Sequence, residues 1–182
     1  MLIQVGRSGV EGGDAVDLLV ECHARIRHFM AVARRLSEVR DVPAEEIRDA
    51  AASVHRYFSA ALPLHARDEE ESLVPRLRGL EPALDQALDE ISHEHDLHGP
   101  PVGRIVDLCA VLQEEPARHQ DLAGKLSEAV VELDRHLTAH LDREEAVIFP
   151  AVRRLLAPET NAAIVSELRM RRQRPGSSAP HK

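Results

Sequence analysis

Two stretches of the chain carry the same chemistry at the same spacing. In LPLHARDEEESLVPRL (residues 62–77) and LTAHLDREEAVIFPAV (residues 137–152), a histidine is followed four residues later by a pair of glutamates and then by a proline. His65, Glu69, Glu70 and Pro75 thus fall on His140, Glu144, Glu145 and Pro150. On a helix, residues four apart lie about 40° apart around the axis and one turn along it. His65 with Glu69, and His140 with Glu144, can therefore each aim a nitrogen and a carboxylate at one point, as a metal ion requires. Two charge runs on solvated faces would have no reason to share a His, a Glu pair and a Pro in register. The spacing predicts two halves of one metal site.

Other histidines complete the set if the fold repeats a helical hairpin. Laying His23 on His95 also lays Leu19 on Ile91 and Leu36 on Leu108. His23 sits on an apolar stripe within LVECHARI, and His95 lies in ISHEHDLH. Either alone reads as a surface histidine or a hydrogen-bonded core one. Together with the two His/Glu motifs they make six candidate ligands: His23, His65, Glu69, His95, His140 and Glu144.

The elements that must position these residues are helices. Asp14, with Asp17 three residues on, starts the first, which carries apolar residues at helical spacing to Val39. Pro43 followed by acidic residues starts a second, running without a strong breaker to Pro75. A third begins near Ala83 and is interrupted, or at least kinked beside the site, by Gly99, Pro100 and Pro101, with helical pattern again beyond. A long amphipathic run from about Pro116 makes the fourth. Residues 159–173 form a short fifth helix ahead of a tail with the composition of a frayed end. The expected fold is all-α, an antiparallel up-down-up-down four-helix bundle over residues 14–156. Residues 1–13 read as an extension and 157–182 as the short helix and flexible tail.

Composition agrees. Hydrophobic residues make up 43% of the 182, but aromatics only 2%, with no Trp and one Tyr. The core must be built from Leu, Val, Ile and Ala. A net charge of -8 argues against general affinity for nucleic acid or an anionic membrane. No run is long and apolar enough to span a bilayer, and MLIQVGRSGVEGGD does not read as a secretion signal, so a cytoplasmic location is expected. Cys22 and Cys109 read as two small buried thiols.

The histidine in ECHARIRH, the two helices with His, three residues and a Glu pair before a Pro, and the histidine in HEHD make the chain resemble the hemerythrin-like family, the HHE cation-binding domain. The resemblance covers about residues 14–156. It implies a four-helix bundle around a non-haem di-iron centre, two irons joined by an oxo or hydroxo bridge (Fe-O-Fe or Fe-OH-Fe). His23, His65, His95 and His140 would be terminal ligands, and Glu69 and Glu144 would bridge. The small-molecule partner would be a diatomic or a peroxide; no protein partner is indicated beyond the basic segment RMRRQR, which also reads as a solvated helix end.

The oxygen-carrying members differ: their third helix has two histidines four residues apart, whereas Gly99 follows His95 at that spacing and Ile91 precedes it. Their fourth helix also spaces its His and carboxylate differently. Two six-coordinate irons sharing two carboxylates and a solvent bridge would, with four histidines, keep about two positions open. That favours reaction with dioxygen, peroxide or nitric oxide, as in catalase- or peroxidase-like turnover, or sensing or iron handling, over reversible carriage. His98 or His136 could supply a fifth nitrogen, and Tyr57 a phenolate. The competing reading makes His136 a satisfied histidine at the end of the core. Glu70 and Glu145 could be alternative ligands or outer partners of an imidazole, or could face solvent or another helix. His28, His55, His93, His119 and His181 read as surface histidines.

A nitrogen and oxygen donor set without thiolate suits iron or manganese better than structural zinc, although zinc could substitute. The ferritin-like carboxylate bundles place Glu before His at shorter spacing. The other rival readings are a metal-dependent interaction module without turnover and a metal-free scaffold.

Overall fold

The computed structural model describes residues 13–173, and all of its regular elements are helical. We label them α1 (Ala15–Glu38), α2 (44–77), α3 (Pro82–Glu114), α4 (119–155) and α5 (Pro158–Gln173). Asp14 caps α1 in a reciprocal capping box with Asp17, satisfying two otherwise orphaned backbone donors. Gly79, at φ +82°, ends α2 in the left-handed region that a side chain would disfavour, and its N–H donates to the Asp85 carboxylate at 2.8 Å.

Helices α1 to α4 pack in chain order, and α1 closes against α4. Two apolar layers show the alternating direction. In α1 one layer ends at Leu19 and the other begins at Ile26; in α2 the order reverses, with Leu62 before and Leu73 after. Helix α3 returns to the first order, with Ile91 then Ile105, and α4 reverses it again, with Leu141 then Ile148. All four gaps fall at one height in the bundle. They hold His23, His65 with Glu69, His95 with His98, and Glu144, with His140 at the edge of the last. Ile164 and Leu168 of α5 extend the layer that contains Leu19 and Leu73.

Helices α2 and α4 each pass through their prolines by widening. Leu62, Val74 and Phe149, the residues just before Pro63, Pro75 and Pro150, donate to the carbonyls of Tyr57, Glu69 and Glu144, five residues back. A proline ring would collide with the carbonyl four residues earlier, and a π turn moves that carbonyl aside. The repeated Pro75 and Pro150 therefore place a π turn at each of Glu69 and Glu144.

The expected interruption at Gly99–Pro101 does not occur. Helix α3 runs unbroken from Pro82 to Glu114 with both prolines inside it. The carbonyls that lose their donors belong to Asp96 and Leu97, whose side chains are exposed, so these groups lie on the wet side. On the inner side the apolar stripe continues through Ile91, His98, Pro101 and Ile105, and packing carries the helix across. No helix among the described residues is long and apolar enough to cross a membrane. The expectations for the N-terminal extension, the tail and His181 lie outside the described residues.

Candidate metal centre

The polar layer brings all six predicted residues together. Glu69 Oε1 lies 2.9 Å from His65 Nε2 on its own helix, and Glu69 Oε2 lies 2.9 Å from His95 Nε2 on α3. Glu144 Oε2 lies 3.0 Å from His23 Nε2 on α1 and 3.6 Å from His140 Nε2. Each carboxylate thus faces one histidine of its own helix and one of another. The donor atoms fall into two groups able to hold a metal ion: His23, His65, Glu69 and Glu144, and Glu69, His95 and His140. Glu69 belongs to both.

The residues fit a metal, and the unpartnered atoms show why. His23 Nε2, His65 Nε2, Glu69 Oε1 and both Glu144 oxygens are buried without any partner of hydrogen-bonding geometry, although some lie only 2.9 to 3.0 Å apart. Stranded buried polar atoms are costly and rare. Lone pairs aimed at a common point rather than at each other are what a cation would satisfy.

The charges respond to this crowding. Burial would raise the Glu69 carboxyl, but His65, His140 and His95 hold it well below its ordinary value. Glu144 is raised, first by burial and then by the Glu69 charge. Burial disfavours the cationic form of His65, His95 and His140, yet the carboxylates raise all three, His95 to about 9. In the metal-free site protons take the place of cations.

An outer ring orients the imidazoles. His23 Nδ1 is 2.8 Å from Glu145, which also accepts from Arg27 at 2.8 Å. His95 Nδ1 is 2.8 Å from Glu70, and His140 Nδ1 is 3.0 Å from Glu94, which pairs with Arg143. Glu70 and Glu145 thus face other helices, each holding the outer nitrogen of a histidine there, which directs its Nε2 inward. Glu94 was legible only as a neighbour of His95; its partner lies on another helix.

His65 lacks such a carboxylate. Neither of its ring nitrogens has a hydrogen-bond partner, and after Glu69 the neighbour that raises it is the Cys22 thiol. Burial would raise the Cys22 thiol, but His65, Arg172 and Arg25 outweigh it and bring it to about 7. Nothing in the cysteine count signalled this.

The additional candidates sort differently. His98 is buried, its ring centroid 4.9 Å from that of His140, and its Nε2 has no partner, but it joins neither donor group. Burial, then repulsion from His140, His95 and His136, lowers it to about 3, so it is neutral. His136 is half-buried, 6.4 Å from the His98 ring. Tyr57 stacks on Phe29 at 4.1 Å, and burial pushes its phenol up. His119, expected at the surface, is buried instead: its ring nitrogen lies 2.6 Å from the Leu36 carbonyl, where α4 begins beside the end of α1.

A helical bundle with a buried His/carboxylate layer is the architecture of a metal-binding four-helix protein. The family model for the hemerythrin HHE cation binding domain matches residues 14–101 and 103–173, and the chain belongs to that family. An uncharacterised protein of Haemophilus influenzae is 25% identical over 167 residues, spanning 88% of this chain and 91% of that protein.

Proposed function

We propose that this protein holds two iron ions in its bundle core and reacts with or senses dioxygen, peroxide or nitric oxide. His23 and His65 would bind one ion, His95 and His140 the other, and Glu69 and Glu144 would be shared. The observation that carries the reading is Glu69, buried and common to both donor groups, with unpartnered nitrogens and oxygens around it. Iron held there would supply redox chemistry and coordination of small ligands; manganese or zinc could occupy the same donors.

The chain's own groups prepare that chemistry. Glu145, Glu70 and Glu94 hold the outer nitrogens of His23, His95 and His140, so each imidazole keeps its inner nitrogen aimed at the centre. The apolar layers on both sides keep bulk water from the charged groups. Four histidines leave about two positions for small ligands, and neutral His98 stands beside the His95/His140 half as the nearest further nitrogen.

The test is metal content per chain with an absorption spectrum, on protein from iron-supplemented cells exposed to air. About two irons with near-ultraviolet oxo-bridge bands is the expected result; no iron, or a single zinc, would refute the reading. A metal-dependent interaction module or an iron-handling protein is the alternative. Arg171 and Arg172 of the basic segment turn back onto Asp68, which uses part of the charge a partner would have read. Steady-state consumption of hydrogen peroxide by iron-loaded protein separates turnover from either alternative.

A further inference from the structure

The two halves of the centre are related by the internal repeat, and their outer groups differ at one place. In the register that lays His23 on His95, Cys22 falls on Glu94; in the register that lays His65 on His140, Asp68 falls on Arg143. In the second half Glu94 holds His140 Nδ1, and Arg143 from the same helix as His140 holds Glu94. In the first half the group acting on His65 is a thiol, and the position matching Arg143 carries a buried acid whose ion pairs come from outside its own helix.

The fifth helix supplies the missing cation. The same Nη2 of Arg172 donates to Cys22 Sγ at 3.2 Å and to Asp68 Oδ2 at 2.7 Å. Arg25 donates a second guanidinium N–H to Cys22 Sγ, also at 3.2 Å, and Arg171 takes the other Asp68 oxygen at 2.8 Å. Asp68 is fully buried and directly precedes Glu69. Arg171 also reaches Ser72, and Glu167 binds Ser72 and Arg76, so α5 clasps the π turn that begins at Glu69.

We infer that Arg172 is a positioning residue for the His23/His65 half of the centre, acting through Cys22 on His65 and through Asp68 on Glu69. It does for this half what Arg143 does for the other, but from a helix outside the four-helix bundle. The outer groups of the two halves therefore differ at His65. His23, His95 and His140 are each backed by a carboxylate, which strengthens an imidazole as a donor; at His65 that place falls to a thiol whose sulfur accepts from two guanidinium groups. The two metal positions are unequal, the His95/His140 position binding first and the His23/His65 position second.

This inference rests on the two-metal reading, and the experiment separates their failures. Metal-free protein is titrated with cobalt(II) alone and followed by visible absorption. The wild type is expected to bind two ions in resolved steps. Arg172→Gln should weaken the second step about tenfold or more and leave the first within twofold, the scale expected for loss of an outer partner. Cys22→Ala, which leaves the Asp68 pair intact, should weaken the same step, and combining the two should weaken it by less than the product of the separate effects. Glu94→Gln should weaken the other step instead. Arg169→Gln, an exposed change on the same helix, should do nothing.

Equal weakening of both steps by Arg172→Gln, or none, overturns the inference. So does an unaffected second step in Cys22→Ala, the variant that decides the matter if Arg172→Gln does not fold. Fewer than two cobalt ions on the wild type removes the two-metal reading and this inference with it.

Discussion

Asp68 offers the sharpest test of how α5 is held. Its carboxylate is fully buried and has two cationic partners, Arg171 Nη1 at 2.8 Å and Arg172 Nη2 at 2.7 Å. Changing both arginines to Met keeps the stems that exclude water and strands the charge. Removing the partner of a buried ion costs about 3–5 kcal/mol. The Arg172 side chain is 34% exposed, so water can reach part of the site and the lower end of that range applies. For a chain of this size, roughly 2–4 °C per kcal/mol, a loss of about 3 kcal/mol lowers the unfolding midpoint of the metal-free protein by about 6–12 °C. Adding Asp68→Asn to the double variant removes the stranded charge and should recover more than half of the loss. The assays are thermal unfolding and urea unfolding of the metal-free chain, both followed by circular dichroism. A double variant within about 1 kcal/mol of wild type, with Asp68→Asn making no further difference, would refute the reasoning, because Asp68 would then be satisfied without help from α5.

Other outcomes follow from the site. Replacing Glu69 and Glu144 together with Gln should abolish binding of two metals while the helical signal persists; elemental analysis finding two per chain would remove the shared-carboxylate assignment. In the metal-free protein His95 is raised to about 9 from an unfolded value near 6.5. Its contribution is complete below about pH 6.5 and disappears as pH rises through about 9, so urea midpoints should fall across that window, and a flat or rising profile contradicts the ion pair with Glu69. Metal loading near pH 7 should release protons from His65 and His95, seen as acidification in an unbuffered titration; metal uptake without it would mean these imidazoles were neutral beforehand. His98→Leu should retain two metals and lie within about 1 kcal/mol of wild type or above it, since it removes a buried unpartnered nitrogen. Loss of one metal would instead make His98 a ligand.

The local part of the site was legible because it is local. Helical geometry alone sets His65 against Glu69 and His140 against Glu144, and the repeated spacing of Glu and Pro foretold matching elements, later seen as matching π turns. Apolar periodicity gave the helices, and their short connections gave the antiparallel order. The failures also have physical causes. Pro100 and Pro101 do not break α3, because propensity acts on one turn whereas the packing of Ile91 and Ile105 acts on both sides of it. His119 looked isolated, yet the loop before α4 brings it to the Leu36 carbonyl.

What only the tertiary structure decided is every pairing between helices. Glu145 on His23, Glu70 on His95, Glu94 on His140 and Arg172 on Cys22 depend on how far each helix is rotated and slid against its neighbour. That rotation and slide are set by the summed packing of two apolar layers, a property of no single stretch. The sequence by itself determined which atoms could bind a metal. The packing of five helices decided which imidazole is backed by a carboxylate and which by a thiol.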